Sequence, residues 1–358
     1  MMNPASAPAS NGRAPQWGVA LVAIIHFLSA SACDLPPSSQ SAGSQAAPGA
    51  ATARALGLLV APDDDTAPML EAIRGARRRV LVEMYMLTAP DAVSALLAAR
   101  DAGVDVRVLL EPTPYGDGAA NQPAFAILAA AGVDVRWAHR GDGLVHAKLI
   151  VVDGRVGYVM TLNLTAAGLG TNREFVVIDR DPAEIRLMEQ IWNADAVGAD
   201  VNVDSAATAS GVATRVLVSP LEARARLGAC IDAARASIRL EMEELSDADL
   251  VARLAAAHAR SVAVSIVAPA SNRSAATTAA LRKLAMAGVS VRVLGVPNIH
   301  AKAMVVDESQ IYVGSINFTR SSLDANREVG LLWNDGPTAR RLGATIAADA
   351  AAGLPFSF

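Results

Sequence analysis

The chain has 358 residues, more than one ordinary compact domain holds and about right for two. With 52% apolar and 18% charged residues it supports a well-buried core. The formal charge of −4 excludes an overall basic field of the kind that marks a sequence-blind nucleic-acid binder, leaving open only a local basic groove.

The amino terminus reads as an export signal. Arg13 precedes an apolar run from Trp17 to Leu28, about a dozen residues, too short to span a bilayer and suited to a secretory h-region. Ala30 and Ala32 fit a small-x-small cleavage site before Cys33. Residues 1–32 are therefore expected to be a signal peptide, which gives a periplasmic or extracellular location. The segment also resembles a bacterial lipoprotein signal. That implies a lipid anchor on Cys33, although Ala30 stands where that pattern usually has leucine; an uncleaved membrane anchor is the third reading. Residues 33–53 are a Pro/Ser/Gly/Ala tether without core-forming periodicity. Cys230 is the other cysteine, so loss or lipidation of Cys33 rules out a disulfide.

From residue 54 the chain says everything twice. "RRRVLVEMYML" (77–87) and "ARASIRLEMEEL" (234–245) read as opening strands, with Arg77, Arg78 and Arg79 as a solvated charge run at a helix end. Helical patterns follow in "PDAVSALLAARDAG" and "DADLVARLAAAHA", then strands "VDVRVLLE" and "SVAVSIVA". "AGVDVRW" (131–137) returns as "AGVSVRV" (287–293). "HAKLIVVDGRVGYVMTLNLT" (146–165) returns as "HAKAMVVDESQIYVGSINFT" (300–319), identical at ten of twenty positions without a gap. "NREF" (172–175) returns as "NREV" (326–329), and a Pro-initiated helix closes each half. This order predicts two similar α/β sandwich units, each a mixed, mostly parallel sheet flanked by helices. They are expected at 54–200 and 211–358, joined through the polar segment 199–211.

The repeat also carries polar side chains that a core does not need. Of 31 basic residues three are lysines, and two of those, Lys148 and Lys302, hold equivalent places in the repeat. A lysine is a compact point charge where arginine is a planar fork, so an arginine-rich chain that keeps lysine at two matched positions points to chemistry there. On a strand, His146 and Lys148 share one face, as do His300 and Lys302. Thr161 with Asn163, and Ser315 with Asn317, share a face of the returning strand. Imidazole, ammonium, hydroxyl and amide are thus expected to converge in each half. Clustered metal-ligand spacing is absent from the sequence, so no metal or cofactor is expected.

These motifs resemble those of the phospholipase D superfamily, H-x-K-x(4)-D followed by G-S-x-N, in two copies: His146, Lys148, Asp153 and Asn163, then His300, Lys302, Asp307, Ser315 and Asn317. The resemblance covers nearly all of the chain beyond the signal. It implies two halves packed about a pseudo-twofold axis with the active site between them. One histidine, by family analogy His146, attacks phosphorus to form a phosphohistidine, and the other, His300, moves protons for the leaving and incoming alcohol. Lys148, Lys302, Asn163 and Asn317 hold the phosphate oxygens. Glu174 and Glu328 fix a histidine tautomer, or pair with Arg173 and Arg327 at the surface. Asp153 and Asp307 complete each motif, although their place at the opening of a turn favours holding the hairpin. Met160-Thr161 replaces Gly-Ser in the first half, which is expected to narrow that pocket. Tyr85 and Glu243 differ at matched positions and suggest no role.

The expected activity is phospholipase D-type hydrolysis or transfer of a phospholipid phosphodiester at a membrane surface, with water or an alcohol as acceptor. A metal-independent nuclease is the alternative within the superfamily; the acidic charge and few aromatic residues argue against it. A lipid-headgroup-binding protein with a retired site is the other alternative, opposed by the intact histidines and lysines.

Overall fold

Each half is one sheet whose strands alternate between two cores. A computed structural model describes residues 56–114, 118–139, 143–201, 203 and 214–357. The expected signal peptide, the tether, Cys33 and most of the 199–211 joint lie outside these residues. The first half contains β1 (Gly57–Ala61), α1 (Ala67–Arg74), β2 (Arg79–Met84), α2 (Pro90–Asp101), β3 (Asp105–Leu110), α3 (Gln122–Ala130), β4 (Asp134–Trp137), β5 (Lys148–Val152), β6 (Val156–Met160), α4 (Ala166–Gly170), β7 (Asn172–Asp179) and α5 (Pro182–Asp195). The second contains β8 (Val216–Ser219), α6 (Ala223–Ala233), β9 (Ser237–Met242), α7 (Ala248–Ala259), β10 (Ala263–Pro269), α8 (Ala275–Met286), β11 (Ser290–Leu294), β12 (Asn298–Ile299), β13 (Lys302–Val306), β14 (Gln310–Gly314), α9 (Arg320–Asp324), β15 (Glu328–Asn334), α10 (Gly336–Ala352) and β16 (Leu354–Pro355).

The first sheet runs β1-β7-β6-β5-β2-β3-β4 and the second β8-β15-β14-β13-β9-β10-β11-β16, the same order with one strand added. The α/β class and the mixed sheets agree with the sequence; the balance of strand directions does not. Parallel pairing within each half is confined to β2-β3-β4 and β9-β10-β11, whose connections carry helices, and the remaining neighbours are antiparallel. Tight turns join β5 to β6 and β13 to β14, and a tight turn permits only antiparallel pairing.

Alternation along the central strands decides what each core contains. Leu149 and Val151 face a core shared by both halves, with Val159, Ala303, Val305, Val313 and Val329. Ile150 and Val152 face the opposite way, under α1, α2 and α3. Met304 and Val306 do the same in the second half, under α6, α7 and α8. Strands buried on both faces read as continuous apolar runs, which is why "LIVV" and "AMVV" lack a period.

The halves also exchange backbone. Strand β12 leaves its own sheet and pairs in parallel with β7, Asn298 opposite Asn172 and Ile299 opposite Arg173. Reciprocally, Val145 bridges Arg327. The described residues of both halves consequently belong to one compact unit.

Candidate active site

The exchanged strands end at the two histidines. The His146 N–H donates to the Arg327 carbonyl at 2.8 Å, and that of His300 to the Arg173 carbonyl at 3.3 Å. Each ring is then met by a carboxylate from the other half: His146 Nδ1 lies 2.8 Å from Glu328 Oε2, and His300 Nδ1 lies 2.7 Å from Glu174 Oε1. Neither glutamate is on the surface; both are fully buried. The Glu328 carboxylate is in hydrogen-bonding geometry and holds His146 Nδ1 as the donor, whereas Glu174 meets His300 Nδ1 as a charge contact without hydrogen-bond geometry.

Glu174 and Glu328 are braced in turn. Thr161 Oγ1 donates to Glu174 Oε2 at 2.5 Å while accepting from the Phe175 N–H at 2.9 Å. Ser315 Oγ accepts from the Val329 N–H at 3.0 Å and bonds Glu328. Burial would raise the Glu328 carboxyl, yet the charges of His146 and Lys148 hold it below the ordinary range. Met160 does not narrow the pocket. It alternates away from Thr161 into the core beneath the helices, beside Met84 and Val176. Gly314 reflects packing instead, since a Cβ there would meet Gly330 Cα at 2.3 Å.

Arg173 and Arg327, the alternative partners of those glutamates, are buried and reach across the halves. Arg327 Nε lies 2.8 Å from both Asp195 carboxylate oxygens, and Arg173 Nε donates to Asp349 Oδ2 at 2.6 Å. The "NRE" triplets thus lock the halves through arginine and aim the opposing histidine through glutamate.

Lys148 and Lys302 are fully buried; Nζ donates to the His146 carbonyl at 2.8 Å in one half and to the His300 carbonyl at 2.7 Å in the other. Their surroundings differ. Lys302 Nζ lies 2.5 Å from Glu243 Oε2, whereas Lys148 Nζ sits 5.0 Å from the centroid of the Tyr85 ring. Burial first, and then the charge of Lys302, push the Lys148 ammonium down to about 7. Burial, with Lys148 and Lys302 assisting, likewise pushes His146 below its ordinary value against the pull of Glu328. That Lys302 acts on both first-half groups shows that the two sets are close enough to influence one another.

Asn163 and Asn317 hold equivalent places after β6 and β14, under different constraints. Asn317 Oδ1 accepts from the Glu244 N–H at 3.1 Å and Nδ2 reaches Glu243 Oε2 at 3.5 Å, while the buried Asn163 Oδ1 has no hydrogen-bond partner among the described residues. The Asn163 carbonyl is fixed by the approach of Gly168, where a Cβ would meet that oxygen at 2.3 Å.

Asp153 and Asp307 do not join the cluster. They sit at the far ends of β5 and β13, five residues or roughly 16 Å of strand beyond each lysine. Asp153 accepts from the N–H groups of Arg77, Arg78 and Arg79, and Asp307 from those of Arg235, Ala236 and Ser237. These bonds hold both carboxyls below the usual range although partial burial works the other way. Their place in the catalytic set gives way to one in the fold: they pin the turn, where Asp153 has φ 56° and Asp307 φ 51°, onto the start of β2 or β9. The Arg77–Arg79 run is therefore a strand entry, not a helix end.

Tyr85 and Glu243 are the site residues that sequence reasoning passed over. The available signal was their position, immediately after the strand residue paired with each lysine, Met84 with Lys148 and Met242 with Lys302.

Two imidazole–ammonium–amide sets, each completed by a carboxylate of the other half on an α/β scaffold, define the phospholipase D-like class. The chain matches the family described as cardiolipin synthase, PLD-like domain, over residues 69–196 and 227–349, more than half its length, and belongs to that family. It is 33% identical over 129 residues to mitochondrial cardiolipin hydrolase of Homo sapiens, covering 35% of this chain and 49% of that protein. The chain thus spans about half the length of that relative. It is 26% identical over 325 residues to cardiolipin synthase A of Pectobacterium carotovorum, covering 78% of this chain and 66% of that one. Among solved structures, phosphatidylserine synthase of Haemophilus influenzae shares the fold with a TM-score of 0.65 at 12% identity, over 84% of this chain and 87% of that one.

Proposed function

We propose that this chain cleaves the phosphodiester of a phospholipid through a covalent phosphohistidine and passes the phosphatidyl group to water or to an alcohol. The observation that carries the reading is the reciprocal arrangement at the cleft, in which each histidine stands beside its own lysine and is aimed by a glutamate of the other half. A ring whose Nδ1 is held by carboxylate has Nε2 available for phosphorus or for a proton. One histidine attacks as the other protonates the departing alcohol, and the second then activates the acceptor. Lys148 and Lys302, with Asn163 and Asn317, stabilise charge that grows on the equatorial oxygens. The named relatives that act on or make cardiolipin support a phospholipid as substrate. Export, with a lipid anchor on Cys33, fits a substrate that is itself the membrane. Among hydrolysis and transfer, the reading includes both, because a phosphohistidine accepts either oxygen nucleophile.

The test is to incubate the protein with vesicles of phosphatidylcholine, vesicles of cardiolipin, and plasmid DNA in parallel, with and without glycerol, and to identify the products. Phosphatidic acid or a transphosphatidylated lipid is the expected product. Cleavage of DNA with both lipids untouched would replace the reading by a nuclease, and binding of lipid without turnover would replace it by a headgroup-binding protein.

A further inference from the structure

The two halves supply matching histidine, lysine, asparagine and glutamate, and differ at the residue that follows each opening strand. Tyr85 brings an uncharged ring to the first set, with its centroid 4.4 Å from that of His146 in an edge-to-face contact. Glu243 brings a carboxylate to the second set, with Oε2 2.5 Å from Lys302 Nζ and Oε1 3.5 Å from His300 Nε2.

We propose that Glu243 is a positioning residue that commits His300 to proton transfer, and that Tyr85 in the matching place leaves His146 to be the nucleophile. The inference rests on the phosphodiesterase reading above and deepens it. His300 has a carboxylate at each ring nitrogen, Glu174 at Nδ1 and Glu243 at Nε2. Neither contact has hydrogen-bond geometry, and Glu174 Oε1 has no hydrogen-bond partner among the described residues, so both carboxylates act on the ring through charge and stabilise positive charge there. The opposing influence is Lys302, whose Nζ lies 3.4 Å from both ring nitrogens. Glu243 offsets it directly, through the 2.5 Å ion pair.

The charged groups that act on His146 are Glu328 at Nδ1, Lys148 beside it, and Lys302 and Glu243 of the other set, of which Glu328 alone is in contact with the ring. With Nδ1–H given to Glu328 and an aromatic ring where the other half has a carboxylate, Nε2 keeps its lone pair. The depressed affinity of His146 for a second proton agrees with that placement.

In the first step the His146 Nε2 lone pair forms an N–P bond as the bond from phosphorus to the leaving oxygen breaks. The proton on His300 Nε2 goes to that oxygen, leaving a neutral imidazole. In the second step His300 takes a proton from water or an acceptor hydroxyl as its oxygen bonds to phosphorus and the N–P bond breaks, which restores both rings. Glu243 touches neither phosphorus nor the leaving or accepting oxygen in this scheme; it acts through His300 Nε2 beside it and through Lys302.

The experiment compares the native protein with Glu243→Gln on two substrates: phosphatidylcholine, whose choline oxygen needs a proton to leave, and phosphatidyl-p-nitrophenol, whose phenolate leaves without one. The first-turnover rate with phosphatidylcholine is expected to fall about 100-fold, in the range of a general-acid contribution. The p-nitrophenol burst should fall at least tenfold less, and the alkaline limb of the pH profile should move to lower pH. Glu243→Asp should recover part of the loss. Equal losses on both substrates, or no loss on either, would overturn the proposal. A second readout needs no variant: peptide mapping of the trapped phosphohistidine in the native protein is expected to find the label on His146, and a label on His300 would overturn the assignment. Native protein inert toward both substrates would instead remove the phosphodiesterase reading on which the assignment stands.

Discussion

Replacing Lys148 by methionine should abolish turnover and make the protein more stable. The ammonium is fully buried and is pushed from its ordinary 10.5 down to about 7. At 1.36 kcal/mol per unit that is about 5 kcal/mol held against folding whenever the group is charged. Methionine keeps the unbranched stem, and the lost bond from Nζ to the His146 carbonyl returns about 1 kcal/mol. Glu328 loses a neighbouring charge as well. A net gain of roughly 2–4 kcal/mol is therefore expected, in line with replacing buried charge by apolar side chains, and a rise in Tm of about 4–8 °C. The dependence on pH distinguishes this cause from ordinary repacking. Because the folded pKa lies below the unfolded one, the unfolded chain binds the extra proton between about pH 7 and 10.5, and the native protein gains stability as pH rises through that window. The advantage of Lys148→Met should accordingly be full at pH 6 and mostly gone by about pH 10. Urea denaturation of both proteins at the two pH values measures it. A variant less stable than the native protein at pH 6, or a gap that does not shrink with pH, would refute the reasoning.

His146→Ala and His300→Ala should each fold with an unchanged far-ultraviolet spectrum and lose at least about 1000-fold in turnover, and native turnover in either would reject a shared site. Arg327→Ala removes the buried guanidinium that bridges Asp195 across the halves, so urea denaturation should show a loss of about 3–5 kcal/mol; less than about 1 would mean the cross-half pair does not hold the fold. Turnover in excess EDTA should be full, because on the proposed reading Lys148 and Lys302 supply the positive charge at the phosphate, and a loss restored by added metal would contradict that scheme.

The duplication and the motif strands were legible because a twenty-residue polar pattern repeated without a gap is not a demand of packing. The burial of "LIVV" and "AMVV" followed from their lack of period, and the turn at Asp153 from its chemistry. What was not legible depends on facing surfaces. Alternation along β7 says that Glu174 and Arg173 point oppositely; it does not say which strand of the other half waits on each side. The reciprocal pairs Glu174 with His300 and Glu328 with His146 therefore needed the fold. The direction of the sheets was misjudged because a strand–helix–strand rhythm was extended over the hairpins that follow it. Strands β1 and β8 went unread because five apolar residues, or four, carry no period.

The reciprocity explains why the two halves belong in one chain and what that arrangement permits. Neither half can aim its own histidine, because the carboxylate for each ring, and the backbone acceptor for each histidine N–H, come from the other. A pair of identical halves would complete both sets equally well, but it would have to give both histidines the same surroundings. Phosphoryl transfer through a covalent intermediate asks for unlike histidines, one with a lone pair and one with a proton, at the same moment. In a symmetric pair that distinction arises only when substrate binds. On the proposed reading this chain builds it beforehand, since Tyr85 and Glu243 can differ without disturbing Arg173, Arg327, Glu174 or Glu328, which hold the halves in register. Converting Tyr85 to Glu should erase the distinction: Lys148 would gain an ion pair and His146 a second carboxylate, and nucleophilic attack should slow even for phosphatidyl-p-nitrophenol, whose leaving group needs no acid. A p-nitrophenol burst in Tyr85→Glu as fast as that of the native protein would show that the aromatic side of the cleft has no part in keeping His146 neutral.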